Sequence, residues 1–215
     1  MTVITPVPIV EYLSGLRRTP HPELDVIAAE GRAAGLPIVD PQTGALLHAL
    51  TRAARATRVL EIGTAIGYSS LWIATALAPG SQLITLERDA ERAARAREHL
   101  VAAGVTDTVS VVIGDASRFL HKVAGPFDLI FQDGDKALYA PMLDRLVELL
   151  RTGGVLVTDN VLWRGEVVPG YIRDPTHKAE DTASIAAYNQ RLANEPQLYT
   201  TFLPVGDGAA VSIKL

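Results

Sequence analysis

The sequence predicts an α/β fold: a doubly wound, mostly parallel sheet with helices on both faces and an antiparallel hairpin at the C-terminus. From Arg58 onward, short apolar runs alternate with longer stretches of helical periodicity. Runs that are apolar on both faces indicate parallel strands buried between two helical layers. The last two strand-like runs are separated only by Gly206-Asp207-Gly208, a spacing typical of a hairpin because glycine accommodates the tight turn.

The composition is that of a globular protein and excludes several kinds of site. A chain of 215 residues can bury a substantial core, and we expect one domain over residues 1–215, with N-terminal helices in 1–57 and the sheet in 58–215. Because the chain has no cysteine, disulfides, thiolate metal sites and a cysteine nucleophile are excluded. Any metal must be held by oxygen or imidazole ligands.

The charge and hydropathy patterns bear on partners and compartment. The 20 basic and 24 acidic residues give a net charge of −4, which disfavours a nucleic-acid partner because binding a phosphate backbone needs positive charge. The sequence has no cationic leader and no uninterrupted apolar stretch of about 18 residues. We therefore expect a cytoplasmic protein that does not span a membrane.

The elements follow one another with clear boundaries. Ahead of the sheet, helices are predicted from Pro22 to Gly35 and after Asp40-Pro41, an N-cap followed by the proline that suits the first helical position. The predicted strands are Val59 to Ile62, Gln82 to Leu86, Val109 to Ile113, Phe127 to Phe131, Val155 to Thr158, Tyr199 to Val205 and Ala209 to Leu215. Intervening helices are predicted from Tyr68 to Leu77 and from the N-cap Asp89 to about Ala103. The polar stretch from Trp163 to Thr182 predicts a long surface loop, a feature that often carries function.

The loop after the first strand is the first candidate for ligand binding, because ligands of doubly wound sheets bind at the carboxyl ends of the strands. It contains Gly63 and Gly67, which let a backbone approach a ligand closely but also occur in turns that only pack a helix. Ala65 and Tyr68 stand where the dinucleotide fingerprint requires glycine. A nicotinamide-dependent dehydrogenase is therefore disfavoured.

Three carboxylates mark the ends of three successive strands. Glu61 ends the first strand, Glu87 ends the second, where a carboxylate can accept hydrogen bonds from ribose hydroxyls, and Asp115 follows the third, within reach of a purine ring. Each alone could be a solvated loop residue, but together they favour a ligand site. S-adenosylmethionine fits these residues better than NAD, because it carries an ammonium, a sulfonium and a ribose but no phosphate that needs a helix N-terminus.

A second group of polar residues follows the fourth and fifth strands. Asp133, Asp159 and Asn160 offer two carboxylates and an amide oxygen, which are hard ligands suited to Mg²⁺ or Ca²⁺. Such an ion would leave room for a substrate with two adjacent oxygens, such as a catechol, and would lower the pKa of the attacking hydroxyl. As alternatives, the aspartate at 133 could be a turn residue, and the Asp159-Asn160 pair could cap a helix.

Lys136 and the aromatic residues beyond the fifth strand complete the candidate site. Lys136 follows the Asp133-Gly134-Asp135 turn and could accept the hydroxyl proton, or could equally cap the surface of the next helix. Trp163 and Tyr171 could line an acceptor pocket, although exposed loop aromatics would look the same. The five histidines show no ligand spacing.

These motifs resemble the cation-dependent class I O-methyltransferases, the family of the caffeoyl-coenzyme A and catechol O-methyltransferases and their bacterial relatives. The similarity runs from about Pro37 to the C-terminus and includes L-E-I-G-T-x-x-G-Y-S, D-x-D-K, D-N-V-L-W-x-G and L-P-V-G-D-G. It implies a Rossmann-like sheet of seven strands, S-adenosylmethionine as cofactor with S-adenosylhomocysteine as product, and a homodimer.

The resemblance also assigns roles residue by residue. It implies that Asp133, Asp159 and Asn160 bind a divalent cation, with Mg²⁺ favoured over the alternatives Mn²⁺ and Ca²⁺, and that Lys136 is catalytic. Trp163 and Arg164 fall on positions near the acceptor. The cofactor contacts implied by the resemblance and by the strand ends are Val39, Glu61, Gly63, Thr64, Ser69, Glu87, Asp115, Ala116, Asp133 and Asp135.

Departures from the family pattern bear on the substrate. Gln132 and Gly134 replace the usual aliphatic residue and alanine, which predicts a looser turn around Asp133. No early lysine matches the plant contact to coenzyme A, so a small phenolic, catechol-like acceptor is expected rather than a coenzyme A ester. The predicted function is cation-dependent methyl transfer from S-adenosylmethionine to one hydroxyl of a vicinal dihydroxy aromatic. Its alternatives are a metal-independent methyltransferase and a non-catalytic binding module.

Overall fold

A computed structural model describes residues 6–171 and 175–215 and contains one seven-stranded sheet. The strand order is β3-β2-β1-β4-β5-β7-β6. Neighbours from β3 to β5 pair in parallel, whereas β7 pairs antiparallel with both β5 and β6. The strands are β1 (Arg58–Ile62), β2 (Gln82–Glu87), β3 (Val109–Ile113), β4 (Phe127–Gln132), β5 (Leu150–Thr158), β6 (Leu198–Leu203) and β7 (Ala209–Lys214). The predicted doubly wound sheet with its terminal hairpin is confirmed.

Helices cover both faces of this sheet. They are α1 (Val7–Leu16), α2 (Glu23–Ala33), α3 (Pro41–Ala53), α4 (Tyr68–Ala74), α5 (Ala90–Ala102), α6 (Ala116–Leu120), α7 (Tyr139–Leu149) and α8 (Ala179–Ala193), with short 3-10 helices at Lys136–Leu138 and Trp163–Gly165. Alternate strand residues point to opposite faces. Val59 of β1 accordingly packs in one apolar layer with α2 to α5, while Leu60 packs in the other with α6 to α8.

The observed elements differ from the predicted ones in three places. β5 begins at Leu150, ahead of the predicted Val155, and its register against β4 shifts between Phe127 and Leu129. The added residues include exposed, glycine-containing positions without an apolar pattern, so the sequence gives no strand signal there. α4 ends at Ala74, before the predicted Leu77, because turns follow it. α1 was not predicted, and none of its residues is buried.

The loop predicted from Trp163 to Thr182 is partly ordered. It starts with a 3-10 helix, and α8 begins within it at Ala179. Residues 172–174 of the predicted loop lie outside the described residues. In the part of the chain that is described, no helix has the length and apolar character needed to cross a membrane.

Candidate active site

A cavity of about 1010 Å³ opens at the carboxyl edge of the sheet, where β1, β2, β4 and β5 end. Most of the residues that the sequence singled out line it. They are Val39, Gly63, Thr64, Ser69, Glu87, Asp115, Ala116, Asp133, Asp135, Lys136, Asp159, Asn160, Trp163 and Arg164. The structure therefore places these residues at one cavity, whereas Glu61, Gly67 and Tyr171 are not among its lining residues.

Gly63 and Gly67 shape the loop at the base of this cavity. Both have positive φ angles, +100° and +91°, which side-chain-bearing residues rarely adopt. A Cβ on Gly63 would lie only 2.5 Å from the backbone oxygen of Asp133. The glycine therefore lets the loop after β1 approach the loop after β4, and both loops contribute to the cavity wall.

Glu61 lies behind the cavity wall rather than in it, and its predicted contact with the cofactor stays a prediction. Its side chain is fully buried and accepts a hydrogen bond from the hydroxyl of Ser70. Burial raises the pKa of Glu61 to about 7, although hydroxyls including those of Ser69 and Ser70 partly offset this effect. Because Ser69 lines the cavity, Glu61 is placed to act on a ligand through this serine.

Glu87 is fixed at the cavity by the backbone. Its Oε2 accepts a hydrogen bond from the amide of Ala65 at 2.8 Å, and its Oε1 accepts one from the amide of Asp89 at 3.0 Å. A carboxylate has about four acceptor positions, so two remain for donors such as ribose hydroxyls. The placement suits the role that the sequence predicted.

Asp115 and Asp135 each combine a capping role with a place at the cavity. Asp115 caps α6 by accepting from the amide of Arg118 at 3.1 Å, and hydrogen bonding by Ser117 lowers the pKa of Asp115. Asp135 accepts from the amide of Ala137 at 3.1 Å and pairs with Arg88 at 3.1 Å. This ion pair joins the loops after β2 and β4 across the cavity rim. It could not be predicted from the sequence because the two residues are far apart in the chain.

Lys136 points into the site rather than across the helix surface. Its Nζ lies 2.8 Å from Oδ1 of Asp133 and 2.9 Å from the hydroxyl oxygen of Tyr139. Tyr139 is fully buried, and burial together with the charge of Asp133 raises its pKa well above the usual value. Its neutral hydroxyl also lies 3.2 Å from the backbone oxygen of Asp159. The side chain of Tyr139 therefore connects Lys136 to the end of β5.

Asp159 and Asn160 do not cap a helix, so that alternative is wrong. Asp159 is 3% exposed, and its Oδ1 is buried without a hydrogen-bond partner among the described residues. Burial, followed by the charge of Asp133, raises the pKa of Asp159 well above its usual value. A buried, unpartnered carboxylate oxygen beside a second carboxylate is what a divalent cation would compensate.

A cation at this place would depend on an amide oxygen as well. Within the described part of the chain, no group of three His, Asp or Glu side chains is arranged to hold a metal ion. The donors that fit are the carboxylates of Asp133 and Asp159 together with Oδ1 of Asn160, all hard oxygen ligands. Asn160 has a φ angle of +60°, and its Nδ2 donates to Oδ2 of Asp207 at 3.4 Å.

The far wall of the cavity carries a stacked ring pair that the sequence did not reveal. The rings of Trp163 and His177 lie 4.0 Å apart at 29°, and both residues line the cavity. Glu166 holds this arrangement, because its carboxylate lies 3.0 Å from Nδ1 of His177 and accepts from the amide of Thr176 at 2.7 Å. Tyr171, the other predicted aromatic, is largely exposed and is not among the lining residues.

Gln132 does not loosen the turn that holds Asp133. It is fully buried, and its Oε1 accepts from the hydroxyl of Tyr188 at 3.2 Å. Its backbone oxygen accepts from the amide of Asp159 at 3.1 Å, while the amide of Asp133 donates to Ile62 at 2.9 Å. These hydrogen bonds hold the turn between two strands. The sequence did not indicate them because Tyr188 is far from Gln132 in the chain.

Comparisons with known proteins show the family of this chain. The family model described as O-methyltransferase matches residues 23–215. A catechol O-methyltransferase of Mycobacterium tuberculosis is 37% identical over 185 residues, which cover 84% of this chain and 80% of that protein.

Solved structures match over nearly the full length. An O-methyltransferase of Bacillus cereus in complex with S-adenosylhomocysteine is 30% identical, with a TM-score of 0.84 and 97% of each chain covered. A structure from Klebsiella pneumoniae, titled an O-methyltransferase, is 34% identical, with a TM-score of 0.84 and 96% of each chain covered. The chain therefore belongs to the O-methyltransferase family and is an S-adenosylmethionine-dependent O-methyltransferase of the caffeoyl-coenzyme A and catechol type.

Proposed function

We propose that this enzyme transfers the methyl group of S-adenosylmethionine to one hydroxyl of a small vicinal dihydroxy aromatic, with the help of a divalent cation. One observation carries the proposal. At the cavity floor, Nζ of Lys136 lies 2.8 Å from Oδ1 of Asp133, and the neighbouring Asp159 keeps a buried carboxylate oxygen unpartnered among the described residues. A proton acceptor and a cation site thus stand side by side.

Asp133, Asp159 and Asn160 are the residues that would hold the cation, with Mg²⁺ favoured over Mn²⁺ and Ca²⁺. When bound, a divalent cation supplies positive charge that favours loss of a proton from the acceptor's hydroxyl. Three protein oxygens are fewer than the about six that Mg²⁺ takes. The donor set is therefore suited to a substrate with two adjacent oxygens.

The other residues bind the cofactor, orient the two reactants and take up the proton of the acceptor's hydroxyl. Glu87 would accept hydrogen bonds from the ribose hydroxyls of the cofactor, and Gly63 and Thr64, which line the cavity, would help to hold it. Nζ of Lys136, which Asp133 and Tyr139 hold in place, is the proposed acceptor of the hydroxyl proton. The oxygen then attacks the methyl carbon in line with the departing sulfur, which leaves S-adenosylhomocysteine, so orientation of the two reactants supplies much of the rate.

The acceptor end favours a flat, aromatic ring. The stacked pair of Trp163 and His177 presents an aromatic wall to the cavity, and aromatic pairs are stabilised by offset or edge contacts. The relative of 37% identity is named a catechol O-methyltransferase, which supports a free catechol-like acceptor. Trp163 and Arg164 are the proposed acceptor contacts.

Removal of the divalent cation tests the proposal directly. We expect that enzyme treated with a chelator loses methyl transfer to a catechol and regains it with Mg²⁺. Calorimetry with S-adenosylhomocysteine on the same sample should still show binding, which separates loss of the cation from loss of the fold. Full activity after chelation would support the metal-independent alternative.

A variant of the cation site separates an enzyme from a binding module. Asp159→Ala should retain binding of S-adenosylhomocysteine but lose methyl transfer by about 10²-fold or more, as expected when a charge-stabilising group is removed. Equal turnover in this variant and the wild type would overturn the assigned role of Asp159. Absence of turnover in the wild type across a panel of di- and trihydroxy aromatics would favour the binding module.

A further inference from the structure

Asp207, at the tip of the hairpin between β6 and β7, lines the cavity and contacts Asn160 of the proposed cation site. We propose that Asp207 is a positioning residue that orients the side-chain amide of Asn160, so that its oxygen faces the cation. The inference rests on the proposed function, and it assigns a role to a residue of the L-P-V-G-D-G segment that the site description leaves without one.

The hairpin tip and the segment after β5 are joined by four hydrogen bonds. Oδ2 of Asp207 accepts from Nδ2 of Asn160 at 3.4 Å, and Oδ1 accepts from the amide of Arg164. The backbone oxygen of Asp207 accepts from the amide of Leu162 at 3.0 Å, and that of Gly208 accepts from the amide of Val161 at 3.1 Å. Asp207 therefore contacts both the proposed cation ligand and the start of the acceptor wall.

The chemistry of the two side chains fixes the orientation. An ionised carboxylate only accepts hydrogen bonds, whereas an amide has a donating and an accepting end. With Nδ2 directed to Asp207, Oδ1 of Asn160 is left for a cation, which requires oxygen. If the amide turned over, an NH₂ group would face the cation site. Partners behind the direct ligands are known to affect metal affinity by about 10- to 100-fold.

The hairpin tip is itself held in place. A Cβ on Gly208 would lie 2.5 Å from Cγ of Leu162, and one on Gly206 would lie 2.6 Å from Oγ1 of Thr43. The tip thus fits closely between α3 and the segment after β5. Asn160 begins that segment with a φ angle of +60°, a conformation that asparagine tolerates better than most residues. The hairpin tip therefore holds Asp207 in a fixed position against the side-chain amide of Asn160.

A double-mutant cycle of Asp207→Asn and Asn160→Asp tests the orientation. Asp207→Asn replaces a carboxylate with an amide, and Asn160→Asp does the reverse. The double variant therefore has the net charge of the wild type. Mn²⁺ affinity is measured by calorimetry with S-adenosylhomocysteine present, so the readout does not depend on turnover. Thermal unfolding and S-adenosylhomocysteine affinity of all four proteins control for folding.

The cycle distinguishes two roles of Asp207: one in which it orients the amide of Asn160, and one in which only its negative charge matters. If Asp207 orients Asn160, Asp207→Asn weakens Mn²⁺ binding about 10-fold or more, since the new amide leaves one donor unmatched. In the Asn160→Asp background, the same change leaves Mn²⁺ binding as tight or tighter, because either oxygen of Asp at 160 can face the cation. If Asp207 contributed only charge, both backgrounds would lose affinity by the same factor, and the inference would be wrong.

The remaining outcomes are also decisive. Wild-type affinity in Asp207→Asn would overturn the inference while leaving the proposed function intact. No Mn²⁺ binding by the wild type would instead show that the cation part of the proposed function is wrong, and the inference would fall with it. If Asp207→Asn alone folds poorly, the comparison of Asn160→Asp with the double variant still decides, because orientation and charge predict opposite signs there.

Discussion

Lys136 is in contact with one charged and one neutral partner, and this pairing determines what its loss should do. Asp133 and the hydroxyl of Tyr139 hold Nζ at 2.8 and 2.9 Å. The lysine is thus fixed by the protein before an acceptor binds. We expect Lys136→Ala to lower kcat by about 10²-fold or more, the range for a general base, while the KM of a catechol changes only a few-fold. Steady-state kinetics at saturating S-adenosylmethionine measures both.

The exposed Lys122 provides the matched control for this prediction. Lys122→Ala removes the same charge and the same side chain from the surface, so kcat should stay at the wild-type value. If Lys136→Ala raises KM with kcat unchanged, the lysine only binds the acceptor. In that case the base must be sought elsewhere at the cavity.

Glu61 should make the free energy of unfolding depend on pH. Its pKa is about 7 in the folded protein, against 4.5 in an unfolded chain, so the folded state binds more protons between these values. Stability from this group is complete below about pH 4.5 and is lost as the pH rises to about 7. The full loss is about 3 kcal/mol, because each pKa unit corresponds to about 1.4 kcal/mol. Glu61→Gln should remove this component.

Urea unfolding at a series of pH values measures the effect. The decline in stability between about pH 4.5 and pH 7 should be shallower in Glu61→Gln than in the wild type. Glu91→Gln, an exposed change on α5, controls for the removal of one carboxylate. Parallel curves for Glu61→Gln and wild type would mean that the carboxylate is already neutral or well compensated throughout.

At the residue scale, sequence reasoning found the groups but not all of their partners. Asp133, Lys136, Asp159 and Asn160 could be placed together because parallel strands end at one edge of the sheet. Partners such as Tyr139 and Asp207 come from other elements. Their contacts depend on how a helix and a hairpin pack, and no spacing in the chain encodes this directly.

Among the elements, the loop between β1 and α4 is where backbone geometry matters most. Gly63 has a positive φ, and its missing side chain admits the Asp133 backbone. We expect Gly63→Ala to destabilise the protein by more than the roughly 1–3 kcal/mol of strained backbone alone, because the two loops must also separate. Since both loops line the cavity, binding of S-adenosylhomocysteine should fall sharply.

A substitution at Gly80 is the control that separates the effect of backbone strain from the effect of the close approach between the two loops. It also has a positive φ, +82°, but a Cβ there would meet nothing within 4 Å. Gly80→Ala should therefore show strain of roughly 1–3 kcal/mol and normal binding of S-adenosylhomocysteine. Chemical unfolding and calorimetry measure the two properties. Equal effects of both substitutions would mean that the approach of the two loops is not important for the site.

The elements that the sequence predicted well are those buried on a regular face. β1 to β4 and the helices α2, α3 and α5 agree with prediction within about two residues, since burial imposes the periodic pattern that the prediction uses. β5 was predicted only from Val155, because Thr152 and Gly153 in its first part are exposed and two adjacent glycines interrupt the apolar pattern. α1 was not predicted either, and none of its residues is buried within the chain.

At the scale of the whole molecule, α1 bears both on how the protein assembles and on the candidate active site. Val7, Val10 and Leu13 line the large cavity, yet Val7, Tyr12 and Leu16 are exposed by 53%, 68% and 64%. Isolated helices shorter than about 12–15 residues are marginal in water. A short apolar helix with so little packing within its own chain needs further contacts to be stable.

We therefore propose a homodimer in which α1 packs against the partner subunit, and predict that polar substitutions in this helix dissociate it. The double variant Tyr12→Asp/Leu16→Asp should shift sedimentation from twice the mass of the chain to a single mass, because it places two charges on a desolvated surface. Val101→Asp, equally exposed at 65% on α5, should leave the mass unchanged. The dissociated variant should also show a raised KM for the acceptor, since α1 would no longer be held over the cavity. A wild-type chain that sediments as a monomer at micromolar concentration would contradict the proposal.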